Sequence, residues 1–254
     1  MDFLSQFMPQ DLSSWEIMFL VAMNFFASAL TISVGLGGGV IMLAILANIV
    51  PIGAVVPVHG VVLMGNNVSR SFVLRKHITW SIAAWFIGGT ILGVMFAAPL
   101  VITLPKAWLF VAIGLFILYT VWGQSGFLTR FSKQVYFIGG TVTGFLTLFI
   151  GATGPLVAAL LPKKQLEPQQ IVATHGFLMS FQHGIKLVAF GALGFAFAQW
   201  LGLIVLMIMA GYLGAFMGSK ILQKIPKALF KKIFSIVLCL LALRLFYQAY
   251  QVGF

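Results

Sequence analysis

Two stretches decide the architecture: SVGLGGGVIMLAIL at 33–46 and FIGATGPLVAALL at 149–161. Each joins a long apolar segment to a short apolar run through a glycine break. The first break holds Gly35, Gly37, Gly38 and Gly39, and the second holds Gly151, Gly154 and Pro155. Interrupted apolar segments at matching places in two halves point to the binding site of a membrane carrier.

Composition supports that class. Hydrophobic residues make up 61% of the 254 and charged residues only 7%, with a mean hydropathy of +1.09. A water-soluble surface needs several times that charged fraction, so the outer surface is expected to face lipid. The formal charge of +11 does not point to nucleic acid. Its residues fall in short groups between apolar runs: Arg70, Arg75 and Lys76; Arg130 and Lys133; Lys163 and Lys164; and Lys220 to Lys232. Basic loops of this kind lie on the cytoplasmic side. Asp2, Asp11 and Glu16 occupy the first sixteen residues, and an acidic start argues against a cleaved signal peptide. Cys239 stands alone in an apolar run and is expected to pack.

The predicted apolar elements run at about 16–34, 38–50, 54–74, 79–99 and 105–123 in the first half. The second half gives about 133–150, 153–161, 169–193, 196–217 and 229–250. Most approach the roughly 20 residues that cross a bilayer. The runs at 38–50 and 153–161 do not; each crosses with unwound ends or dips and returns. If each break reverses the chain, five elements per half give two halves of inverted orientation. Tracing back from the basic loops then puts both termini outside, in an inner bacterial membrane. If either pair is one bent span, the inversion weakens.

The halves, 16–123 and 133–250, carry internal homology. His59-Gly60 and His175-Gly176 lie 116 residues apart, as do Gly35 and Gly151. Pro105 and Pro226 are 121 apart, so one five-residue insertion reconciles the two registers. The predicted fold is a single all-α polytopic domain of two inverted repeats about a pseudo-twofold axis in the membrane plane.

At about 100° per residue, His59, Asn66 and Arg70 fall on one stripe of their helix, and His175, Gln182 and Lys186 on the matching stripe of theirs. Asn67 and His183 lie beside these stripes. Polar side chains inside a membrane helix face the bundle interior or an aqueous path. A basic, amide-rich stripe without an acid suits an anion. Gly37, Gly38 and Gly39 would let backbone N–H groups close on an oxyanion; Thr153 and Gly154 offer a similar opening, and Thr31 and Ser33 add hydroxyls. The bland alternative applies to each: packing glycines, histidines bonded between helices, and Arg70 or Lys186 reaching for headgroups. Gly88-Gly89, Gly139-Gly140 and the row Gly211, Gly214, Gly218 are read as packing residues. Trp80, Trp85, Trp108, Trp122, Trp200 and Tyr247 are read as interface anchors.

Taken with VPVHGVVLMGNNVSRSFVLRKHI at 56–78 and VATHGFLMSFQHGIKLVAF at 172–190, the two breaks resemble the TauE/SafE family of sulfite exporters and 4-toluene sulfonate uptake permeases over nearly the whole chain. The resemblance implies a secondary carrier of sulfite or organosulfonates such as sulfoacetate, coupled to protons. It frames the site between the glycine breaks and the polar helices. With no buried acid at hand, histidine is the candidate proton carrier.

Other readings are an anion channel, a carrier of small carboxylates, and a membrane enzyme. The last would need a metal on His59, His175 and His183, yet no HExxH spacing occurs. No cofactor or nucleic acid is expected. The partners are an anion, protons and lipid, and homo-oligomerisation stays open.

Overall fold

The computed structural model describes residues 6–34, 38–122, 132–162, 165–221 and 227–253. Among the described residues ten α-helices follow one another, with no strand. The first half holds α1 (Ser14–Val34), α2 (Gly38–Ile49), α3 (Ile52–Val73), α4 (Trp80–Val101) and α5 (Lys106–Trp122). The second holds α6 (Lys133–Ile150), α7 (Gly154–Leu160), α8 (Pro168–Ala192), α9 (Leu201–Ile221) and α10 (Lys227–Val252). Ser14–Thr31, Trp80–Val101, Phe197–Met217 and Ser235–Val252 are long and apolar enough to cross a membrane. The outward faces of the long helices are apolar too: Phe26, Met95, Phe96, Val188, Phe216 and Leu240 are exposed. The fold is thus an all-α polytopic one, as the apolar runs predict.

Local chemistry explains where the helices start and stop. The Ser13 hydroxyl accepts from the Glu16 backbone N–H at 3.3 Å, while the Glu16 carboxylate accepts from the Ser13 backbone N–H at 2.8 Å. This reciprocal cap opens α1. Glu167 and Gln170 form the equivalent box before α8, with Pro168 in its first turn. Both of these acids therefore serve as helix caps. α6 ends at Gly151, whose φ of +84° is left-handed and whose N–H bonds back to Thr147 O at 3.1 Å.

At Gly151 only glycine is unstrained, and an added Cβ would also come within 3.3 Å of Leu43 Cδ1. Gly151→Ala is expected to lower stability by about 1–2 kcal/mol. A thermal melt of the detergent-purified variant, showing a lower midpoint than the parent, checks this.

The major helix contacts join the halves. α1 packs along α9 and α4 along α6, while α3 packs on α8 and α5 on α10. Matching α1–α5 in order with α6–α10 carries the α1/α9 pair into the α6/α4 pair and each of the other two pairs into itself. The main apolar core draws on both halves, from Leu43 and Val55 to Leu203 and Leu245.

Small residues allow the two crossings to close. At α4/α6, Gly89 and Gly93 lie against the Phe137 and Thr141 carbonyls, and Gly140 and Gly144 against those of Phe86 and Thr90. At α1/α9, Gly214 lies against the Phe25 carbonyl and Gly211 against the side chains of Asn24, Ser28 and Asn66. The packing reading holds for Gly89, Gly140, Gly211 and Gly214; Gly218 has no described side-chain environment. Gly88 meets only the Phe137 ring at ordinary distance.

One anchor is corrected. Trp80, Trp85, Trp108, Trp122 and Tyr247 are exposed, but Trp200 is buried. A 3-10 turn over Phe197–Trp200 follows the left-handed Gly194 and folds Trp200 inward, where it stacks on Phe195 with ring centroids 6.5 Å apart.

Candidate functional site

The broken segments are short. α2 has 12 residues and α7 only 7, below the roughly 20 that span a bilayer. Their first turns are held by the two repeated histidines. His59 Nε2 on α3 donates to Gly39 O at 2.9 Å, and His175 Nε2 on α8 donates to Gly154 O at 3.0 Å. A carbonyl only accepts, so the proton sits on Nε2 in both rings. The same device secures each short helix, with the carbonyl displaced by one residue in register.

Lys186 of α8 lies in the α3/α8 contact, against Gly60 of α3. It is fully buried, and its ammonium donates to Gly151 O at 2.7 Å and to His183 Nδ1 at 3.2 Å. The α6/α7 break therefore presents its carbonyl to the amine. Gly60, next to His59, leaves room for the lysine stem: a Cβ there would come within 2.9 Å of Lys186 Cδ. On the other side, His59 Nδ1 lies 3.6 Å from where a Gly151 Cβ would stand. His59 Nδ1 and His183 Nε2 are buried and have no hydrogen-bond partner. Two orphaned ring nitrogens and a buried amine thus gather beside one glycine break.

A second knot lies one turn away on α8. Gln182 accepts from the Thr153 hydroxyl at 2.8 Å and donates to Thr143 Oγ1 at 2.8 Å, with Thr90 Oγ1 at 3.5 Å. Thr143 in turn donates to Gly139 O at 2.7 Å. Both ends of the Gln182 amide are occupied, tying α8 to α4, α6 and the break. Its first-half counterpart Asn66 sits at the matching junction of α3, α1 and α9, around Gly211. There Asn24 donates to Met207 O.

Among the expected site residues, the structure brings His59, Lys186 and His183 together, with Gln182 and Thr153 nearby. His175 and Gly154 pair with each other. Asn67 turns its amide back to Leu63 O, 2.9 Å away on its own helix. Thr31 likewise donates to Ala27 O at 2.9 Å. Gly38 packs against the Ala27 carbonyl and Thr31. Gly37 lies outside the described residues, as do the side chains of Ser33 and Arg70. Sequence reasoning missed Asn24, Thr90, Thr143 and Thr147. An asparagine and repeated threonines inside apolar helices were the available signal, weak because such residues also bond within their own helix. Among the described residues, no group of three or more His, Cys, Asp or Glu is placed to hold a metal.

The arrangement offers a cation, ring N–H groups and hydroxyls, and no carboxylate. Among the described acids, Asp11 and Glu167 are exposed and Glu16 caps a helix end. No curated protein and no solved structure matches the chain. The family model described as Sulfite exporter TauE/SafE matches residues 20–245, which takes in both breaks and all ten helices at least in part. The chain therefore belongs to the sulfite exporter TauE/SafE family, a family of membrane transporters.

Proposed function

We propose that the protein is a secondary carrier of a small anion, sulfite or an organosulfonate such as sulfoacetate, coupled to protons. The observation that carries this reading is the buried Lys186 with His183 and His59 at the Gly151 break, with no carboxylate beside it among the described residues. A buried ammonium without a counter-ion is costly, and a bound anion relieves that cost. The exchange of helix partners between the halves is the packing expected of two repeats that rock against each other. On this reading the repeats are inverted, the whole chain is one transport domain in a bacterial inner membrane, and both termini face outward. Histidine handles the proton, since its ordinary range brackets physiological pH.

Purified protein in liposomes, given sulfite, sulfoacetate, taurine, sulfate and a small carboxylate under an imposed pH gradient, tests this. Saturable sulfite or sulfonate flux that follows the gradient is expected. His175→Ala, which frees the start of α7, should reduce it about 10–100-fold. Flux confined to carboxylates would remove the sulfur assignment. Flux that never saturates would replace the carrier with a channel.

A further inference from the structure

We infer that the site selects its anion by charge: it holds an oxyanion bearing one negative charge, with Lys186 as its counter-ion. The inference rests on the anion-carrier reading and narrows it. Three observations support it. Lys186 is the only lysine or arginine among the described buried residues, and it is completely enclosed. Among the described residues no acid lies beside it; its hydrogen-bond partners are the Gly151 carbonyl and His183 Nδ1, both neutral acceptors. Two of the three ammonium N–H groups are thereby used, and one remains for a ligand.

The histidine beside it holds the amine in place. Because Lys186 donates to His183 Nδ1, that nitrogen carries the lone pair and the ring proton sits on Nε2. His183 Nε2 is buried and without a partner. That Nε2–H points away from the amine across the ring, so the unused ammonium N–H is the donor left beside the charge. Gly151, which must be glycine because of its left-handed φ, holds the ammonium from the other side through its carbonyl. The Gln182 amide, one turn back on α8, is already saturated by Thr153 and Thr143 and adds no charge.

Charge balance then separates anions of equal size. A singly charged oxyanion and Lys186 form a neutral pair. A doubly charged one leaves a net negative charge enclosed in protein and lipid, where an uncompensated charge is strongly disfavoured. The selection acts on total charge, so sulfite is carried as hydrogen sulfite and sulfoacetate with its carboxyl protonated, while a neutral substituent on a sulfonate is free to vary.

Methanesulfonate and sulfate are near-equal in shape and differ by one charge, which makes them the natural pair. Their uptake is measured at one pH into liposomes containing the wild-type protein, and into liposomes containing Lys186→Gln or Lys186→Arg. Wild type is expected to favour methanesulfonate at least tenfold, since an unbalanced charge exceeds the 1.4 kcal/mol that corresponds to about a tenfold ratio. Lys186→Gln should lose methanesulfonate uptake, and Lys186→Arg should retain the preference. Equal uptake of the two anions by wild type overturns the inference and leaves the anion carrier standing. So does full methanesulfonate uptake by Lys186→Gln. Failure of wild type to move any anion, sulfite included, would instead bring down the carrier reading and the inference with it. The wild-type comparison stands even if a variant fails to fold.

Discussion

Gly89→Ala and Gly140→Ala are each expected to destabilise the protein by about 3 kcal/mol, the upper end of the range for overpacking. The reason is the identity of what the new methyl would strike. At Gly89 it lands on the Phe137 carbonyl and at Gly140 on the Phe86 carbonyl, so backbone would have to yield rather than a flexible side chain. Pushing α4 from α6 would also lengthen the Gln182 contacts to Thr90 and Thr143, which bridge the same crossing. Gly88→Ala is the internal control. Its methyl would meet only the Phe137 ring, at 3.6 Å, and replacing a helical glycine by alanine tends to gain about 0.5–1 kcal/mol. Size-exclusion profiles and melting curves of the three variants should place Gly88→Ala with the parent and the other two well below it. Equal behaviour of the neighbours Gly88 and Gly89 would mean that the α4/α6 approach is looser than described.

Gln182→Leu is the second large effect. Leucine nearly fills the volume but leaves Thr153, Thr143 and Thr90 facing an apolar group. Interhelical hydrogen bonds in membranes contribute about 0.6 kcal/mol each on average, and an orphaned buried polar group costs about 1–3 kcal/mol. Thr143 keeps its bond to Gly139 O and Thr153 a long one to Thr147 Oγ1, so the full penalty falls on Thr90. A loss of about 2–4 kcal/mol follows. Because Thr153 leads into α7 at the break next to Lys186, transport should fall by more than the loss of folded protein explains. Flux normalised to correctly inserted protein checks this. A proportional fall would make Gln182 a strut alone.

Much of the fold was legible. The predicted runs lie within a few residues of the observed helices, because apolar run length and the glycine breaks are both local signals. The left-handed turn at Gly151 and the repeated histidines were readable as positions, and the structure supplies their partners. What periodicity does not encode is the helix opposite. It placed Gln182 and Lys186 on one stripe, yet one closes a hydroxyl network across α4 and α6 while the other reaches the carbonyl of a break. It grouped His59 with Asn66, whereas His59 bonds to Gly39 and turns its other ring nitrogen toward Gly151 of the other half. Trp200 misled for a related reason: a run boundary marks an interface only when no turn folds the side chain back inside.

The α1/α9 pairing has a temporal consequence. Asn24 finds its acceptor, Met207, 183 residues further along the chain. At about 5–20 residues per second, synthesis of the intervening segment takes about 10–40 s. Through that interval the first helix has been made but its principal neighbour, which carries the acceptor of Asn24, has not. Biogenesis of this protein therefore depends on holding the earliest span until nearly the last one arrives. A nascent chain stalled before residue 201 should be a preferred target for membrane proteolysis, whatever the state of the helices between.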